Sequence, residues 1–175
     1  TGVATNDVLK IRATPDAQAE KLGELPPDGA GIEVVEPDAT REWGLVNVDE
    51  TSGWVSLRYL ERRETDPRYL LSRRLNCSGT EPFWTLEIDQ SGTADLITPE
   101  ARRTLPGTPE IWPALARTDR YVIRFEDGQI AIIRRELCSD GMSDRASGLD
   151  IDFLTGDPEF EGPALISGCC SLVAD

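Results

Sequence analysis

The side chains of this chain that could do chemistry are acids, four cysteines and a small set of aromatics, because it contains no histidine. Imidazole is the commonest proton shuttle near neutral pH and the commonest transition-metal ligand. Its absence excludes Ser-His-Asp and Cys-His catalysis and every zinc site that needs histidine. Carboxylate-only chemistry is left, and Glu81 is its best candidate: it lies beside Phe83 and Trp84, and apolar surroundings raise a carboxyl pKa. The competing reading is that Glu81 pins the turn before a strand through backbone N–H groups. We favour that reading, since the sequence fixes no second carboxylate nearby. Asp140 and Asp144 flank Gly141-Met142-Ser143 and could offer oxygens to Ca²⁺, but that ion takes about six to eight of them. An Asp-Gly turn with Asx-type bonds beside Cys138 is the expectation instead. No metal and no cofactor is expected, and no catalytic residue is assigned.

The cysteines carry more information. Cys77, Cys138, Cys169 and Cys170 all lie in the second half, even in number and without a CxxC pair. That usage suits structural disulfides formed in an oxidising compartment. Neighbouring Cys169 and Cys170 are poorly placed to bridge each other, which leaves two connectivities. We favour Cys138–Cys169 with Cys77–Cys170. If the adjacent pair sits on a strand, its side chains point to opposite faces, so one bridge lies inside the fold and the other outside.

The aromatics are candidates for contact with a ligand. Trp84 and Trp112 could line a groove, although a large aromatic in a small domain more often fills the core. Trp43, Trp54 and Tyr59 pose the same question near the N-terminus. The net charge is −14, and acids outnumber bases in both halves. Neither half therefore offers the basic face that phosphate contacts require, which argues against nucleic acid and an anionic membrane surface as partners. Arg102-Arg103 and Arg134-Arg135 are read as solvated or paired with local acids.

The elements that must position these groups read as strands. Val8–Arg12, Lys21–Leu25, Gly31–Val35 and Trp43–Val48 are short β-type runs divided by Pro-Asp and Pro-Pro-Asp-Gly turn signals. A tip at Asp49–Gly53 leads into a return strand at Trp54-Val55. Residues 63–74 are rich in charge and read as a linker. Beyond it, Phe83–Ile88 alternates, Ala94–Ile97 returns, and Pro99–Pro113 reads as a long loop anchored by Ile111 and Trp112. Tyr121–Phe125 and Gln129–Ile133 flank Glu126-Asp127-Gly128 as the clearest hairpin. Leu149–Leu154 and Ala164–Cys170 complete the set, and no amphipathic helix stands out. The fold expected is all-β. It comprises a small barrel over 1–62, the linker, and a disulfide-stapled antiparallel β-barrel or sandwich over 75–175.

Two resemblances add to this reading. The run "VLKIRATP", the step "LGELPPDG", the strand "WGLV" and the ending "GWVSLRYL" resemble the bacterial SH3 domain. That resemblance implies an SH3-like barrel that binds peptides or peptidoglycan. In the second half, "CSGTEPFWTLEI", "CSDGMSD" and "GCC" resemble an uncharacterised family of bacterial envelope proteins with GTEPFW and DGMSD motifs. That family usually carries an aromatic soon after DGMSD, where this chain has Arg145-Ala146-Ser147-Gly148. The expectation is a non-enzymatic binding protein of the periplasm or cell envelope, exported, with a lipid anchor upstream of Thr1 conceivable. Its partner would be a cell-wall peptide or an envelope protein, met by Trp43, Trp54, Tyr59, Glu81, Trp84, Trp112, Asp140 or Asp144. Two alternatives stand beside it: a protein inhibitor of a cell-wall hydrolase such as lysozyme, and a carboxylate-only glycan hydrolase.

Overall fold

The structure is a computed structural model that describes residues 2–64, 66–160 and 162–174. The chain forms two compact units, Thr1–Glu64 with Ser143–Ala146, and Thr65–Met142 with Ser147–Asp175. Both are antiparallel β-structures, and helix is limited to two single 3₁₀ turns among the described residues.

In the first unit, β1 (Leu9–Arg12), β2 (Lys21–Leu25), β3 (Trp43–Val48) and β4 (Thr51–Ser56) form a sheet in the order β2-β1-β4-β3. The period of two in β1 decides its packing. Leu9 and Ile11 turn into a core shared with Val46 and Val55, while Lys10 and Arg12 face away from it. The β3–β4 connection is tighter than expected. Asp49 and Glu50 alone make the turn, with Asp49 at φ 48° in the left-handed region that Asp tolerates, and Gly53 lies within β4.

The strand expected at Gly31–Val35 does not form. Val35 N–H donates to Leu45 O at 2.8 Å and Leu45 N–H to Glu36 O at 2.8 Å, so contact with the edge of β3 begins only at the end of the run. Pro37 then meets Gly44 in an isolated bridge, and Asp38 N–H donates to Trp43 O at 2.9 Å before the chain turns back at Arg41, whose N–H donates to Asp38 O at 3.0 Å. Ile32 and Val34 still pack on the core. Residues 143–146 extend this unit at the β3–β4 turn. The Asn47 side-chain amide donates to Ala146 O at 2.8 Å, and its oxygen accepts from Ala146 N–H at 2.9 Å.

The second unit is one nine-stranded antiparallel sheet: β5 (Arg74–Thr80), β6 (Phe83–Asp89), β7 (Ala94–Ile97), β8 (Arg102–Leu105), β9 (Glu110–Pro113), β10 (Arg120–Arg124), β11 (Ile130–Arg134), β12 (Leu149–Thr155) and β13 (Ala164–Val173). Their spatial order is β8-β7-β6-β5-β13-β12-β11-β10-β9. The edge strands β8 and β9 are consecutive in sequence and joined by residues 106–109 only. Laid flat, nine strands would separate them by about 38 Å, whereas four residues span at most ~17 Å. The sheet therefore curls into an open barrel. Its concave face closes on one apolar core that includes Leu75, Leu86, Ile88, Ile123, Phe125 and Phe153.

The pair β8 and β9 corrects the long loop expected at Pro99–Pro113. Each strand is four residues long and lies at an edge, where prolines are tolerated and alternation is weakened by a solvated face. Arg102, Arg103 and Thr104 are all exposed, so the pattern that marks a buried strand is missing.

Two disulfides tie the middle of this sheet, Cys77–Cys170 and Cys138–Cys169, which is the connectivity favoured above. Cys170 lies directly opposite Cys77 in the β13–β5 ladder, and both are fully buried in the core. Trp84 packs beside them, only 3% exposed. Its ring lies against strand backbone, and two glycines make that possible. A Cβ on Gly79 would stand 2.3 Å from Trp84 Nε1. One on Gly168 would stand 2.1 Å from Ser78 O and 3.0 Å from the ring. The "CSGTEPFW" and "GCC" segments thus meet at one packing knot.

Candidate functional site

The first unit carries an open cleft of about 820 Å³. Three pieces of chain build its working wall. From β1 come Lys10 and Arg12, placed there because Leu9 and Ile11 take the core face. From the loop before β3 come Arg41 and Glu42, and from the start of β3 comes Trp43. From the 3₁₀ turn Leu57–Tyr59 come Arg58 and Tyr59.

The 38–43 loop is organised by one carboxylate. Asp38 Oδ1 accepts from the N–H groups of Glu42 and Trp43, both at 2.9 Å, and Oδ2 accepts from the Thr40 hydroxyl at 2.6 Å and Thr40 N–H at 3.2 Å. The Thr40 hydroxyl first, and then the Trp43 N–H, hold this carboxyl below its ordinary value, because these bonds favour the charged form. Arg41 turns the corner at φ 59°. Tyr59 is fixed from both ends: its ring packs on the core of the unit, and its carbonyl accepts from Gly2 N–H at 2.7 Å. The Arg58 guanidinium lies 4.4 Å above that ring and donates to the Tyr59 hydroxyl. Cation–π stacking of this kind presents a cation and an aromatic surface together.

Of the residues singled out in the sequence, this cleft gathers Trp43 and Tyr59. Trp54 is half-buried and does not line it; it sits on β4 between Leu45 and Arg12. Trp84 is core. Trp112 is 43% exposed on the outer face of the second unit, with Arg124 stacked 5.4 Å from its ring and Val122 beside it in register. Glu81 is exposed, so the burial that a carboxylate acid would need is absent. Asp140 makes an Asx bond, accepting from Met142 N–H at 3.0 Å. Asp144 belongs to the first unit, where its N–H donates to Glu50 O at 3.0 Å. Among the described residues no group of three or more Cys, Asp or Glu side chains is placed to hold a metal.

Lys10, Arg12, Arg41 and Arg58 were not singled out in the sequence. The signal for the first two is the alternation in "LKIR", which sends both to the face opposite the core. Nothing local marks Arg41 or Arg58, because their position depends on where the loop and the 3₁₀ turn return.

The charged pairs of the second unit are structural by geometry. Arg134 reaches Asp152 at 2.7 Å and also pairs with Asp150, both on β12. Burial pushes the Asp150 carboxyl up against the pull of Arg134, while Arg134 and then the Ser167 hydroxyl hold Asp152 down. Arg102 pairs with Glu87 and Asp95, and Arg103 with the buried Asp157 at 2.6 Å, as read for these arginines from the sequence.

These features define an all-β, disulfide-bonded protein of two units with an aromatic and cationic cleft on the first. No helix is long and apolar enough to cross a membrane. No family model, curated protein or solved structure matches the chain.

Proposed function

We propose that this chain is a non-enzymatic binding protein of the bacterial cell envelope. Its SH3-like first unit holds a peptide, from the cell wall or from an envelope protein, in the cleft between Trp43 and Tyr59. The observation that carries this reading is the placing of those two aromatics, one from the start of β3 and one from the 3₁₀ turn after β4, on one open cleft. Aromatics on a concave surface bury much area at low entropic cost and suit extended peptides. The two disulfides support export, since such bonds persist in oxidising compartments. The second unit fills its concave face with its own side chains. Its own contact surface is then the outer face, where Trp112, Val122 and Ile132 lie side by side across three strands, and this face meets a separate protein partner and not the peptidoglycan held by the cleft.

The test is co-sedimentation of the full chain with purified peptidoglycan, comparing the wild type with Trp43→Ala and Trp112→Ala. Retention should fall about tenfold for Trp43→Ala, the scale of one lost aromatic anchor, and hold for Trp112→Ala. Circular dichroism confirms that each variant keeps its fold. A wild-type chain that stays in the supernatant, or equal retention of Trp43→Ala, would defeat the proposal.

A further inference from the structure

The cleft differs in charge from the rest of the molecule. The chain carries −14, yet four cationic side chains, Lys10, Arg12, Arg41 and Arg58, line this one opening against two acids, Asp7 and Glu42. In the second unit the arginines are mostly neutralised where they stand. Arg102, Arg103, Arg117, Arg124 and Arg134 each lie within 3.0 Å of a carboxylate oxygen. The cleft cations are not treated this way. Arg12 donates to a carbonyl, Ala19 O, at 2.8 Å, and Arg58 is laid on the Tyr59 ring. Lys10 and Arg41 are exposed and have no ion-pair partner among the described residues.

We infer that the cleft selects an acidic peptide, whose carboxylates meet Lys10, Arg41 and Arg58 while its apolar side chains rest on Trp43 and Tyr59. Guanidinium groups recognise carboxylates in paired, charge-assisted geometry, and the adjoining aromatic faces supply the apolar part of the contact. The overall acidity decides against the larger polyanions. A nucleic acid or an anionic bilayer extends well beyond the cleft and meets the negative remainder of the surface within about one Debye length, ~8 Å at physiological salt. A short peptide feels chiefly the local cations. This inference rests on the peptide-binding reading above and adds the chemical class of the ligand.

The experiment is isothermal titration calorimetry of the full chain with three peptides of one length: alternating Glu and Ala, the same with Gln for Glu, and the same with Lys for Glu. The Glu peptide should bind at least tenfold more tightly than the Gln peptide, and the Lys peptide should not bind. The advantage should vanish at about 0.5 M salt, where the screening length is only a few ångströms, and in the double variant Lys10→Gln/Arg41→Gln. Equal affinity for the Glu and Gln peptides would overturn the charge selection and leave the peptide-binding reading intact. Retention on peptidoglycan without binding of either peptide would overturn the acidic-peptide assignment. Undiminished binding of the Glu peptide by the double variant would place the contact elsewhere and overturn it too. A single-stranded oligonucleotide or an anionic vesicle that outcompetes the Glu peptide would show the ligand class to be wrong.

Discussion

Asp38 controls the cleft without lining it. Its four accepted bonds fix the backbone that presents Arg41 and Trp43, so Asp38→Ala should weaken ligand binding severalfold through a disordered loop. The thermal midpoint should move only a little, because these bonds hold a surface loop and the core lies elsewhere. The same bonds carry a pH dependence. A carboxyl held below its unfolded value of 3.8 contributes its full effect above that value and loses it as pH falls through the lower, folded one. Carbon-detected NMR should find Asp38 titrating below 3.8, with the Trp43 amide shifting at the same midpoint. A midpoint at or above the ordinary value, or an amide that ignores it, would refute this role. At this scale the sequence named Trp43 and Tyr59 but not their cationic neighbours. An aromatic announces itself by type, whereas a surface arginine is one of many until the fold shows which are left unpaired.

The elements of the second unit explain why its motifs look conspicuous. "CSGTEPFW" and "GCC" contribute a tryptophan, two glycines and three cysteines to one place where β5, β6 and β13 meet. The glycines are needed because strand backbone and an indole ring share that space. Gly168→Ala should cost ~1–3 kcal/mol, the scale of overpacking a filled core, read as a lower urea midpoint with an unchanged slope. An alanine there that leaves the midpoint unmoved would show that the Ser78 backbone and the indole ring do not fill the space beside Gly168. Most strands were legible from alternation and turn chemistry. Those that were not are β5 and the short edge strands β8 and β9. In β5, Arg74 falls within the expected linker, and the buried positions Leu75, Cys77 and Gly79 include two small residues that give little apolar signal. The run at Gly31–Val35 looked like a strand because its apolar residues do reach the core. Apolar content reports burial, and only a partner edge turns burial into a ladder.

For the whole molecule, the oxidised cysteines hold a sheet whose strands come from distant parts of the chain. Cys77–Cys170 closes a separation of 93 residues and Cys138–Cys169 one of 31. On the loop-entropy account, replacing the first pair by serines should cost about 4–5 kcal/mol and the second about 3–4 kcal/mol. Urea unfolding measures both, and alkylation of the native protein should label no thiol. A reversed order of the two losses would overturn the loop-length account of what these bridges contribute. Alternation, turn residues and four cysteines without histidine were sufficient to determine an all-β, disulfide-bonded chain, because strand formation and face selection are local properties with a period of two. Which strands became the edges, which aromatics stayed outside, and which cations were left without acids were decided only in three dimensions. Each of those outcomes depends on the partner that a distant segment brings or fails to bring.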